Sequence, residues 1–132
     1  MFMTESQTNQ LVALRPLIST EASYTDVEQF QNETLRPILK LLNNTLLYVF
    51  RQYIEKHKSP FSKFSVIEKQ AYVVRSLRQD HQFRHFVRGI VAGHFTNKEW
   101  VFFDANENEV NKRIMKMIEQ RLNSQLEELS EK

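Results

Sequence analysis

Apolar residues recur along this chain at helical rather than strand spacing. Ile38, Leu41, Leu42, Leu46, Val49, Phe50, Tyr53 and Ile54, with Thr45 among them, fit the i, i+3, i+4, i+7 pattern of one buried face. This predicts a long helix over 34–57. Pro37 suits a first helical turn better than an interior, so the helix starts near Thr34 or is kinked there, and Ser59-Pro60 sets the end near His57. At that end, His57 reads as a capping cation that favours the helix dipole. Val110, Ile114, Met117, Ile118, Leu122, Leu126 and Leu129 form a second stripe, which predicts a last helix over 106–129.

Capping boxes mark further helix starts, since an N-cap hydroxyl takes one orphan amide while a glutamate three residues on reaches back to another. Thr25–Glu28, Ser65–Glu68 and Thr96–Glu99 have that form, and Asp104–Glu107 is a weaker version with an aspartate cap. Phe95 and Trp100 occupy the two positions of a hydrophobic staple around the Thr96 cap.

Within 65–93 the helical phase changes. At roughly 100° per residue, Phe83, Phe86, Val87, Ile90 and Val91 share one face, whereas Ile67, Ala71 and Val74 extrapolate to about the opposite side. One rigid helix would have to bury different faces in its two halves. The reading that removes the conflict is a break at Asp80, which caps a helix over 81–92 that Gly93 ends as a left-handed residue. The expected fold is therefore an all-α, single-domain bundle of about five helices, near 34–57, 66–79, 81–92, 97–103 and 106–129. Residues 11–132 form the helical domain and residues 1–10 a disordered tail, with LVALRPLI interrupted by Arg15-Pro16.

Composition narrows the chemistry. The 132 residues are 41% hydrophobic and 26% charged, with a net charge of +2, which matches one ordinary globular domain. The chain has no cysteine, so disulfides, thiolate nucleophiles and Cys-ligated metals are excluded. Its longest charge-free apolar run, Leu41 to Phe50, is far short of the roughly 20 residues that span a bilayer, and MFMTESQTNQ has neither a basic nor an apolar leader region. A cytoplasmic location is expected, with no membrane partner.

The stretch HQFRH places His81 and His85 with the spacing of the zinc-protease HExxH motif, but Gln82 stands where the base should be. Two histidines one turn apart need a third ligand to hold zinc, so no metal, no cofactor and no catalytic set is expected. The glycines, Gly89 and Gly93, form no phosphate loop, and Phe95, Trp100, Phe102 and Phe103 read as a plug over the core. The same histidines have a second reading: Arg78, His81, His85 and Arg88 fall at i, i+3, i+7 and i+10, flanked by Arg75 and Arg84. Residues 65–103 carry six basic side chains against three acidic ones, while 104–132 carry five against seven. Such a stripe could bind an anion, a nucleic acid or an acidic protein, although no aromatic residue lies among the arginines to stack a base.

The segments NQLVALRP, QNETLRPILKLLNN, FRHFVRGIVAGHFTNKEW and NKRIMKMIEQRL together resemble a family of short all-helical bacterial proteins, over about Asn9 to Leu126. Some members carry the label glyoxalase, which implies a lyase as one alternative. A metal-dependent glyoxalase sets His and Glu ligands on the strands of paired βαβββ modules, and this chain has no strand pattern. The expected function is a non-catalytic helical interaction module that self-associates or binds a protein partner. Anion or nucleic-acid binding through Arg78, His81, His85 and Arg88 is the alternative.

Overall fold

In the computed structural model, which describes residues 2–19 and 22–131, every regular element is a helix. Helix α1 is Glu5–Ala13. Helix α2 runs without interruption through Asp26–Phe30, the π-helical segment Gln31–Leu35 and Arg36–Leu41. Then come α3 (Asn43–Lys56), a 3-10 turn at Phe61–Lys63, α4 (Val66–Gln79), α5 (His81–Ala92), α6 (Asn97–Ala105), α7 (Glu107–Asn123) and α8 (Leu126–Ser130). The all-α class is as expected, and the five expected helices become eight among the described residues.

The additional helices have local causes. Thr25 does cap a helix, accepting from the Glu28 N–H, so the helix expected to begin near Thr34 starts eight residues earlier, at Asp26. Pro37 is thus interior and buried, where it offers no N–H and crowds the carbonyl four residues back. The wider π turn just ahead of it, closed by the Arg36 N–H on Gln31 O, is where the backbone absorbs this. Leu42 (φ −89°, ψ 4°) then separates α2 from α3, and Asn43 turns its side chain to Gln125 and Arg121. The last helix ends at Asn123 instead of continuing to 129, and α8 restarts after Gln125. Asp104 caps nothing: it lies inside α6, and Asn106 precedes α7 without a side-chain cap.

The boxes at Ser65–Glu68 and Thr96–Glu99 both form, with the amide and the carboxylate bonds present in each. The staple also forms, Phe95 and Trp100 meeting edge-to-face with centroids 5.3 Å apart. Asp80 (φ −85°, ψ 94°) ends α4 and caps α5, accepting the Phe83 N–H at 3.1 Å. The break is where the phase predicts it, but the faces are not. Ile67 is 77% exposed, and α4 buries Val73, Ser76 and Leu77 in place of Ile67, Ala71 and Val74; on α5, Phe86 is also exposed. Gly93 is right-handed (φ −60°), so it does not end α5 as a left-handed residue; a Cβ there would lie 3.1 Å from Gly89 O.

The core joins Leu35, Ile38 and Leu39 of α2 to Leu46 and Phe50 of α3, Val73 and Leu77 of α4, Val91 of α5 and Val110, Ile114 and Ile118 of α7. Full burial of each such side chain contributes about 1.5–3 kcal/mol. Rings close the two ends: Phe30 stacks on Phe102 at 4.7 Å and meets Phe95 edge-on at 5.5 Å, while Phe50 contacts Tyr53, Tyr72 and Phe83.

Residues expected in a disordered tail form much of α1, which starts with its own capping box, Thr4 with Gln7. The helix buries no residue. Polar ties hold it instead: Met3 and Asn97 exchange two hydrogen bonds, and the guanidinium of Arg15 makes bonds of 2.8 and 2.7 Å to the two carboxylate oxygens of Glu99 and one of 2.8 Å to His94 O. Burial pushes the Glu99 carboxyl up, yet Arg15, the Thr96 N–H and the Thr34 hydroxyl together hold it below the ordinary carboxylate range.

Candidate functional site

Where α4 and α5 pack on α7, an open groove of about 600 Å³ runs along the surface. Arg84 and Arg88 enter it from α5, one turn apart on the same face, and Lys112 and Lys116 repeat that spacing on α7. Arg78 joins from the end of α4. The groove is thus lined by five cations and a single carboxylate, Glu119, with half-buried Met115 supplying its apolar surface over the buried Leu77.

That carboxylate is already engaged. Glu119 is buried, and its oxygens accept Arg78 Nε at 2.9 Å and a second guanidinium N–H at 3.1 Å, a two-point fork that raises the Arg78 pKa. Arg84 donates to Arg78 O at 3.0 Å, and its Nε is buried with no protein partner. An Arg88 guanidinium N–H lies 2.7 Å from His85 Nδ1. Burial lowers the Arg88 pKa, the charge of Arg84 adds to this, and Glu107 opposes it. Arg78 is therefore held by Glu119, Arg84 by one backbone bond and Arg88 by His85, and the like charges of Arg84 and Arg88 act on each other. An oxyanion placed among them would relieve that repulsion while filling unmade hydrogen bonds.

The sequence-predicted stripe separates in space. Arg78 and Arg88 line this groove, His85 reaches it only through Arg88, and His81 lines a different depression with Tyr53, His57 and Asp80. There the Tyr53 hydroxyl donates to Asp80 Oδ2 at 2.9 Å, and the His57 ring lies against the Tyr53 ring, tilted by 31° with centroids 4.0 Å apart. Burial, then the bond to Asp80, pushes the Tyr53 hydroxyl up to about 12. The Asp80 carboxyl is held low, first by the Phe83 N–H and then by Tyr53. Among the described residues no three His, Asp or Glu side chains are grouped so as to hold a metal ion.

Lys112, Lys116 and Glu119 escaped the reading of the sequence. Their own helix carries a balanced mixture of charges, so only the packing of α7 against α4 and α5 reveals that two lysines face three arginines. Comparison with family models, with curated proteins and with solved structures found no match. No helix among the described residues is long and apolar enough to cross a membrane.

Proposed function

We propose that this chain is a non-catalytic helical interaction module, and that the groove between α5 and α7 is where it receives an acidic segment of a protein partner. One observation carries this reading: five cations surround the groove, and the one carboxylate that lines it is consumed by Arg78. The half-buried Met115 in the groove favours a peptide that brings an apolar anchor between its carboxylates, since a methionine adapts to varied side chains. A nucleic acid would be expected to meet exposed rings among the cations, and none lines this groove.

Fluorescence anisotropy with a labelled glutamate-rich peptide containing interspersed leucines tests it. Binding should weaken steeply with salt and fall at least about tenfold in an Arg84→Met, Arg88→Ala double variant, whereas Lys98→Ala on α6 leaves it unchanged. Tighter binding of a single-stranded oligonucleotide of equal charge would replace the acidic peptide with nucleic acid.

Self-association is a second reading, which the N-terminal region favours. Helix α1 buries nothing of its own, and Val12, Leu14 and Leu17 are 45%, 60% and 99% exposed, while Val101 of α6, the helix to which Asn97 and Glu99 tie this region, is 67% exposed. Light scattering that finds a dimer, dissociated by Leu17→Glu with Val101→Glu, supports it; a monomer at high protein concentration removes it.

A further inference from the structure

The turn between α3 and α4 carries a second basic surface of a different kind. Lys56, Lys58 and Lys63 are exposed there, and Lys69 is held 5.7 Å over the Phe61 ring. Two carboxylates stand in the same stretch: Glu55, exposed next to Lys56, and Glu68, which is occupied by the Ser65 N–H at 2.8 Å within the capping box, so the lysines outnumber the acids by four to two. At the end of the same turn, Val66 and Ile67 begin α4 with 62% and 77% of their surface exposed.

Two further features bear on what this tip meets. The end of α3 is a Schellman motif, with Ser59 N–H on Ile54 O and Lys58 N–H on Glu55 O, and its left-handed position is Lys58 at φ 51°. Glycine is the usual residue there because a Cβ is strained in that conformation, so the chain keeps an ammonium group where a bare backbone would be more stable. At the other end of the turn, Ser65 and Glu68 satisfy amide and capping donors at the start of α4, so less polar backbone needs desolvation as Val66 and Ile67 approach an apolar phase.

We propose that the 56–69 turn is a docking tip for an anionic membrane surface, with Lys56, Lys58 and Lys63 drawn to the headgroups and Val66 and Ile67 dipping into the boundary beneath them. Lysine supports this over a protein partner: ammonium groups on flexible stems suit a mobile, diffuse layer of charge, whereas fixed geometry favours the arginines of the α5–α7 groove. Area supports it as well. Two side chains fall far short of the roughly 800 Å² that each partner contributes to a stable protein interface. Attachment through so few groups is weak and reversible, and it requires negative lipid.

Vesicle co-sedimentation of the full chain tests this, comparing phosphatidylcholine alone with an equimolar mixture of phosphatidylcholine and phosphatidylserine. Binding is expected only to the mixture, and should be lost between about 0.1 M and about 1 M salt, as the screening length falls from about 10 Å to about 3 Å. Lys58→Gly and Lys63→Gln should each weaken it about fivefold, the effect of roughly one lysine near such a surface. Ile67→Asp should abolish it with an unchanged circular dichroism spectrum, because the residue is exposed. Soluble glycerophosphoserine should not compete. The Arg84→Met, Arg88→Ala variant should still bind, which separates this tip from the groove. Equal binding to neutral vesicles, indifference to Lys63→Gln and Ile67→Asp, or loss only in the groove variant would overturn the proposal. So would a wild-type dimer that Ile67→Asp dissociates, which would assign the patch to a second copy.

Discussion

Tyr53 and Asp80 join the two halves of the bundle: the Tyr53 hydroxyl of α3 donates to one oxygen of the carboxylate whose other oxygen caps α5 through the Phe83 N–H. Replacing Asp80 by alanine removes the cap and leaves the Tyr53 hydroxyl without its acceptor, at a combined cost of about 1.5–3 kcal/mol. Tyr53→Phe removes the donor alone and should cost about 0.5–1.5 kcal/mol. Chemical denaturation of the two single variants and the double variant should show strong non-additivity. Equal effects that simply sum would mean that the carboxylate acts only as a cap.

Acid should destabilise the fold in two stages. His94 has its pKa lowered, by burial first and then by Arg15, so the unfolded chain takes up a proton below about pH 6.5 that the folded chain resists. Its contribution is therefore present above that pH and is lost as pH falls through the lower folded value. Asp80 and Glu99, both held below the ordinary carboxylate range, act in the same direction below about pH 4. His94→Gln should flatten the first stage and leave the second, as read from urea midpoints against pH. A single transition unaffected by that replacement would refute the assignment.

Much of this fold is legible in the sequence because its signals are local. Ser65 with Glu68, Thr96 with Glu99 and Asp80 itself each set a helix boundary through bonds within three residues, and the structure keeps all of them. What escaped depends on tertiary context. The π turn ahead of Pro37 lets a helix continue through a residue that ordinarily starts one. Ile67 and Phe86 look like core by type, but the position of α7 decides which face of α4 and α5 is covered. The candidate groove is a product of the same docking, since Arg84 becomes central only once Lys112 and Lys116 lie opposite it.

The N-terminal arm should depend on Arg15 more than on its apolar residues. The Arg15 and Glu99 side chains are only 9% and 16% exposed, so Arg15→Ala leaves a carboxylate poorly solvated and half-satisfied, at about 2–4 kcal/mol. Because α1 buries no side chain, limited proteolysis should then cut within residues 5–13 while the remainder stays folded. Val12→Ser should leave the arm protected. Equal protection in the Arg15 variant would show that other contacts hold it.

Lys58 offers a gain in stability. Lys58→Gly removes the strain of a left-handed lysine, worth about 1 kcal/mol, which for a chain of this size raises the melting temperature by roughly 3–5 °C. Lys58→Ala keeps the strain and should give little. Equal gains for the two would trace the effect to charge instead of backbone.

Arg84 should reveal whether the groove is kept for binding or for structure. Its Nε is buried without a protein partner, and its charge stands beside Arg78 and Arg88 with two lysines opposite. A side chain held for stability would be weakened by replacement. Arg84→Met keeps similar volume, removes the unpaired buried N–H and relieves like-charge repulsion, gains that outweigh the lost bond to Arg78 O because water replaces it at that exposed position, so it should raise stability by about 0.5–1 kcal/mol in urea denaturation. The same variant should lose at least about tenfold in affinity for the acidic peptide, since the group that is uncomfortable in the free protein is the one an incoming carboxylate would satisfy. Stability gained while binding is lost identifies a residue retained for its partner. A destabilised Arg84→Met variant would make the guanidinium part of the scaffold, and unchanged peptide affinity would take the groove's centre away from Arg84.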